Sequence, residues 1–135
     1  QLYRQHFRPS KALTKPKTMV GVMGVAADSD AEAEYLYTSM QQSFANLRRN
    51  VRTPFPRPSY DAVAALTPEE NTMIDHMLRY AMVGSPATIE KRLGSFLEQT
   101  QADELIISMP IHDIAARLKS VELFAGLPMM QKALF

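Results

Sequence analysis

Between Met19 and Ala27 the chain reads MVGVMGVAA, apolar at odd and even positions alike, and then turns abruptly acidic at Asp28. A strand with one face in water alternates apolar and polar side chains, so a run without alternation needs cover on both faces, as strands of parallel sheets have. The run is too short and too rich in Val and Gly for a helix. ELIISM at 104–109 reads the same way, and a shorter apolar run inside 80–84 ends at a Gly turn. Between these runs lie stretches with helical spacing, and such alternation of strand and helix argues for βαβ units with parallel strands, an α/β fold.

The acids after the first run have a structural reason. Over 30–49, Tyr37, Met40, Phe44 and Leu47 fall at helical spacing, with Asp30, Glu32 and Glu34 in the first turns and Arg48 and Arg49 in the last, matching the helix dipole at both ends. Asp28 or Ser29 is placed to accept from the free amides at that helix start. A calcium loop would need further oxygen ligands and a Gly at a set place, and neither follows. No metal is expected.

Further on, VRTPFPRPS at 51–59 alternates Pro and should be extended, opening a long loop over 51–66. Thr67, Pro68 and Glu70 spell a capping box, followed by Met73, Ile74, Met77 and Leu78 as an apolar stripe with His76 at its edge. Ser85 and Pro86 open another helix, whose buried face should be Ile89, Leu93, Phe96 and Leu97. The free amides at that start are a weak phosphate signal, with one Gly and no following Lys-Ser/Thr pair. The last stretch places Ala115, Leu118, Val121 and Phe124 on one face.

Composition excludes several classes. With 135 residues and 46% apolar content the chain is a single segment the size of one domain. A net charge of +1 gives no pull toward nucleic acid, and the basic lead-in over 1–17 lacks a binding motif. No apolar run approaches the roughly 20 residues of a membrane span. Absence of Cys agrees with a reducing, cytoplasmic setting. The chain begins at Gln1 although it holds nine Met, so a trimmed or fragmentary chain is expected.

Catalytic signatures are absent. Gly21 and Gly24 are spaced GxxG inside a strand, which is no dinucleotide fingerprint, and neither GxSxG nor HExxH occurs. His112 with Asp113 is the one adjacent pair able to move a proton. It follows the second clear strand, where barrels and open sheets place their sites, so His112 is the candidate for lining a substrate pocket, with a helix cap as the structural alternative.

Taken in order, LYRQHFRPS (2–10), the Val-rich strand ending AADSD, YLYTSMQQ (35–42), VGSP (83–86), ADELII (102–107), IHD (111–113) and ARLKSVEL (116–123) resemble the luciferase-like, flavin-dependent monooxygenases, in their bacterial MsnO8-like subgroup. The resemblance implies the C-terminal part of a (β/α)8 barrel, a TIM-like fold of parallel strands with outer helices, its last three strands lying here. It implies that the parent uses reduced FMN and oxygen on an organic substrate, while the flavin contacts and catalytic residues lie upstream of Gln1. The isolated segment is then expected to be inactive, to hold no FMN tightly, and to be a homo-oligomer that covers its open strands near 19–25 or 104–109. The competing expectation is a non-catalytic binding or oligomerisation module reusing part of a barrel.

Overall fold

Both long apolar runs are parallel strands of one sheet. The computed structural model describes residues 2–132. Its elements are α1 (Leu2–His6), β1 (Met19–Ala26), α2 (Asp30–Arg48), α3 (Tyr60–Ala64), α4 (Pro68–Met77), β2 (Met82–Gly84), α5 (Pro86–Thr100), β3 (Glu104–Ser108), α6 (Ile114–Ala125) and α7 (Pro128–Lys132). Among these residues no helix is long and apolar enough to cross a membrane.

The sheet runs β2-β1-β3, every pairing parallel. Met19 to Met23 of β1 pair with Glu104 to Ser108 of β3, and Gly24 to Ala26 pair with Met82 to Gly84 of β2. Three successive barrel strands would pair in chain order. Here β1 and β3 are direct neighbours, and β2 is a short strand on the other edge of β1, at its carboxyl end only. The expectation of three consecutive barrel strands is corrected to two adjacent ones plus this added strand.

Side-chain alternation splits β1 between two cores. Val25 and Ala27 pack with Ala33, Leu36, Met40, Ile74, Leu78, Val83 and Ile111 on the side of α2 and α4. Val22 and Ala26 pack with Met82, Ile89, Leu93, Phe96, Phe124 and Leu127 under α5, α6 and α7. Cover on both faces therefore holds at the carboxyl end of β1. At the amino end Met19 and Gly21 are exposed, and so is their neighbour Ile106 on β3, at 57%. The apolar run of β3 implies burial on both faces, but only its Leu105 and Ile107 face is covered.

Four helical details depart from the sequence reading. In α2 Ala33, Leu36, Thr38, Ser39, Met40 and Ala45 are buried, Tyr37 and Phe44 pack half-buried against them, and Leu47 at the helix end is exposed; in α4 Ile74 is buried and Met77 exposed. The buried face of α6 is turned by about one residue, carrying Ser120 and Phe124 inward and leaving Ile114 (71%), Leu118 (60%) and Val121 open. Ser120 decides this: its buried hydroxyl accepts from the Ala26 amide at 2.9 Å, a demand of the sheet that an apolar residue could not meet. Finally, the loop over 51–66 is extended only to 59, where the Ser59 hydroxyl accepts from the Ala62 amide and starts α3.

The amino ends of the strands are clamped. Asp103 accepts from the Thr18 amide (2.7 Å), the Thr18 hydroxyl (2.9 Å) and Arg4 (2.9 Å), and Lys17 pairs with Glu104, so two carboxylates tie the basic lead-in to the sheet. The Pro-rich excursion is fastened to α2 in the same manner: Tyr35 donates to the Pro58 carbonyl, Gln42 to that of Arg57, and the Ser59 amide to the Thr38 hydroxyl.

Candidate functional site

The carboxyl ends of the three strands bring together the residues that the sequence put forward. After β1 come Asp28, Ser29 and Asp30; after β2, Ser85 and Thr88; after β3, His112 and Asp113. Each acid has an identifiable task. Ser29, not Asp28, caps α2, its hydroxyl accepting from the Glu32 amide at 3.2 Å. Asp28 is exposed and lies 3.3 Å from the Lys119 ammonium on α6.

Asp30 reaches across to the start of α5. Its carboxylate accepts from the Ser85 amide at 2.7 Å and the Thr88 hydroxyl at 3.0 Å. These bonds, that from the Ser85 backbone foremost, hold the Asp30 carboxyl below the usual carboxylate range. Ser85 stands at the helix cap as expected, but its hydroxyl makes no cap bond. The turn is tight because Gly84 takes φ +145, and a Cβ there would sit 2.8 Å from Asp30 and 2.7 Å from Thr88. A carboxylate of this chain thus occupies the anion position that the phosphate reading left open.

His112 is half-buried just past the fully buried Ile111, in the turn between β3 and α6. Asp113 caps α6 by accepting from the Ala116 amide at 2.8 Å, and the Arg117 guanidinium donates twice to the Ile111 carbonyl, at 3.1 and 2.6 Å. Asp113 thus serves as the α6 cap, and among the described residues no hydrogen bond joins it to His112. His76 is exposed on α4, 3.3 Å from Arg79, as its edge position implied. Among the described residues no group of three or more His, Asp or Glu is arranged to hold a metal.

What the carboxyl ends can do is limited. Asp30 braces the start of α5, Asp113 caps α6 and Asp28 lies beside Lys119, so the strand ends of the described residues are dominated by carboxylates, which disfavours the phosphate of a flavin there. The residues present do not fit FMN as a complete site. Two features escaped the sequence reading. One is the bracing role of Asp30, which depends on a contact far along the chain. The other is an apolar groove of about 760 Å³ along the free edge of β3, walled by Leu105, Ile107, Met109, Val121, Phe124 and Met129.

No family model matches the chain. The chain is 41% identical over 122 residues to a protein named luciferase-like monooxygenase in Escherichia coli (strain K12), covering 90% of this chain and 36% of that protein. It is 35% identical over 125 residues to the uncharacterized protein YvbT of Bacillus subtilis (strain 168), covering 93% and 37%. The crystal structure of apo-MsnO8 overlays 98% of this chain and 39% of its own with a TM-score of 0.76 at 24% identity. The chain is homologous to part of a luciferase-like monooxygenase, spanning a little over a third of the relatives it matches, and its α/β fold fits part of a barrel.

Proposed function

We propose that this chain is the C-terminal segment of a flavin-dependent monooxygenase, whose whole form uses reduced FMN and oxygen to oxidise a small organic molecule. The observation that carries this reading is where the sheet stops. β3 has a free edge beside an apolar groove, the Met19, Gly21 and Ile106 face is bare, and Ile114, Leu118 and Val121 form an apolar stripe on α6 with nothing against it. Unpaired parallel edges and apolar stripes of this kind call for further strands and helices. Similarity to a luciferase-like monooxygenase of more than twice this span supports the same reading.

In that parent, His112 lines the substrate pocket from the turn after β3, while the flavin is held by residues outside this segment. The isolated chain lacks activity, does not hold FMN tightly, and covers its β3 edge and α6 stripe with a second copy. Sedimentation of the purified chain together with FMN fluorescence titration tests this. The expected results are a dimer that dissociates in Leu118→Glu and no quenching at micromolar flavin. A monomer at every concentration would defeat the assembly claim, and stoichiometric FMN binding would show that the flavin site lies within these residues.

A further inference from the structure

His112 stands in a turn that is pinned on both sides of it. Before it, the Ile111 side chain is fully buried in the core beside α2, and the Ile111 amide donates to the Met109 carbonyl at 3.0 Å, past Pro110. After it, the Asp113 carboxylate accepts from the Ala116 amide, and the Asp113 carbonyl accepts from the Arg117 amide at 3.0 Å. Helix capping, the structural alternative for a His at this place, is thus the task of its neighbour. Among the described residues no hydrogen bond engages the His112 ring, which is half-buried beyond the carboxyl end of β3. A neutral imidazole so placed has one donor and one acceptor to offer.

One side chain closes the turn. Arg117, in the first turn of α6, is an exposed residue, yet its guanidinium folds back and donates from Nε at 3.1 Å and from Nη2 at 2.6 Å to the Ile111 carbonyl. Holding a long side chain in one geometry costs rotamer freedom, and a charged donor on a carbonyl offsets it more strongly than a neutral one does. The ion pairs of the described residues do not involve Arg117, so this carbonyl is its partner. With its side chain on Ile111 and its own amide on Asp113, Arg117 holds the carbonyls of both residues that flank His112.

We propose that Arg117 is the positioning residue of His112: by fixing the backbone on either side it presents the imidazole in one orientation to a hydrogen-bonding group of the substrate. This rests on the reading of His112 as a pocket residue. Residues 109–112 lie between the last ladder position of β3 and the cap of α6, so neither element sets the dihedral angles at 112. A ring carried on such a segment is placed only as well as the backbone beneath it. Without the guanidinium the Ile111 carbonyl turns to water, and the ring gains alternative orientations.

NMR of the 135-residue chain tests it. The Cε1–Hε1 signals of the three histidines are assigned with His6→Gln, His76→Gln and His112→Gln. In the wild type His112 should give one sharp signal. In Arg117→Ala that signal should split, or broaden by exchange on the μs–ms scale, while His6 and His76 stay in place. Arg117→Met keeps the apolar stem and gives the same readout where Arg117→Ala does not fold. Arg117→Lys, which retains the charge without the planar fork, should restore the signal in part. Arg92→Ala removes another guanidinium–carbonyl bond, the one to Val83 at 3.3 Å, and should leave His112 as in the wild type. Thermal melts accompany each variant: a purely structural Arg117 would lower the melting temperature without moving the ring signal. The signal belongs to the chain alone, so it is read whether or not His112 meets a substrate, and the positioning role and the pocket role fail separately. An unchanged His112 signal in the folded Arg117→Ala or Arg117→Met chain, an equal disturbance in Arg92→Ala, or an Arg117→Lys signal no closer to wild type than theirs would overturn the proposal.

Discussion

Replacing Gly24 by Ala should destabilise the chain, and replacing Gly21 should not, although both sit in β1 and the sequence offers no reason to treat them differently. A Cβ at Gly24 would lie 2.7 Å from Phe124 Cζ and 2.8 Å from both Phe124 Cε2 and Ile107 Cγ2. Carbon atoms prefer separations near 3.5 Å or more, so ring and methyl must each retreat by about 0.7–0.8 Å. Neither can do so freely. Phe124 is buried on α6, and α6 is pinned to β1 by the Ser120 to Ala26 hydrogen bond, while Ile107 is held in the β1–β3 ladder. Overpacking of this kind costs about 1–3 kcal/mol. At Gly21 no atom lies within 4 Å and φ is not positive, so Ala there should stabilise by about 0.4–1 kcal/mol by narrowing the unfolded ensemble. Urea unfolding at one protein concentration separates the cases: with m of about 2 kcal/mol/M, the Gly24→Ala midpoint falls by about 0.5–1.5 M. Adding Phe124→Leu should recover part of the loss, so the double variant is more stable than the sum of the singles. A Gly24→Ala midpoint indistinguishable from the wild type, or strict additivity with Phe124→Leu, would refute the packing argument.

Two further outcomes separate the roles of the strand-end acids. Ser29→Ala should cost about 1 kcal/mol as a lost helix cap, whereas Asp28→Ala, whose exposed pair with Lys119 is worth little, should stay within about 0.5 kcal/mol of wild type; thermal melts of both decide it. Asp30→Asn should lower the melting temperature at neutral pH. Because the folded-state carboxyl is held below its ordinary value, its contribution is present above the unfolded pKa and is lost as pH falls through the folded one. The gap between wild type and Asp30→Asn should therefore close in acid below about pH 4, and a gap independent of pH would argue against the carboxylate bonds to Ser85 and Thr88.

The elements that the sequence announced are those whose signals are local. Apolar residues on both faces of 19–27 require a doubly covered strand wherever the chain goes next, and β1 is one over its carboxyl half. The capping box of Thr67 and Glu70 forms because both partners lie within one helical turn, with the Thr67 hydroxyl accepting at 3.2 Å and the Glu70 carboxylate accepting from the Thr67 amide at 3.0 Å. Punctuation also marks α7: Gly126 ends α6 and Pro128 begins the next turn. The assignment of a (β/α)8 part came from ordered resemblance, since no single motif in 2–123 specifies it.

What stayed hidden depends on atoms far along the chain. Leu118 and Val121 have helical spacing and apolar side chains, so periodicity alone assigns them to the core. Ser120, polar and between them, takes the inward position because a backbone amide at Ala26 needs an acceptor there. That inversion has a consequence for function. If the inward face of α6 is fixed by the sheet, the Ile114, Leu118 and Val121 stripe is a second apolar face, and a helix apolar on two sides is one meant to be buried on two sides. The same holds for β3, apolar at Ile106 as well as at Leu105 and Ile107 but covered on one face only. Periodicity thus pointed to cover that the described residues do not supply. On the proposed reading that cover comes from the remainder of a barrel, and in the isolated chain from a second copy.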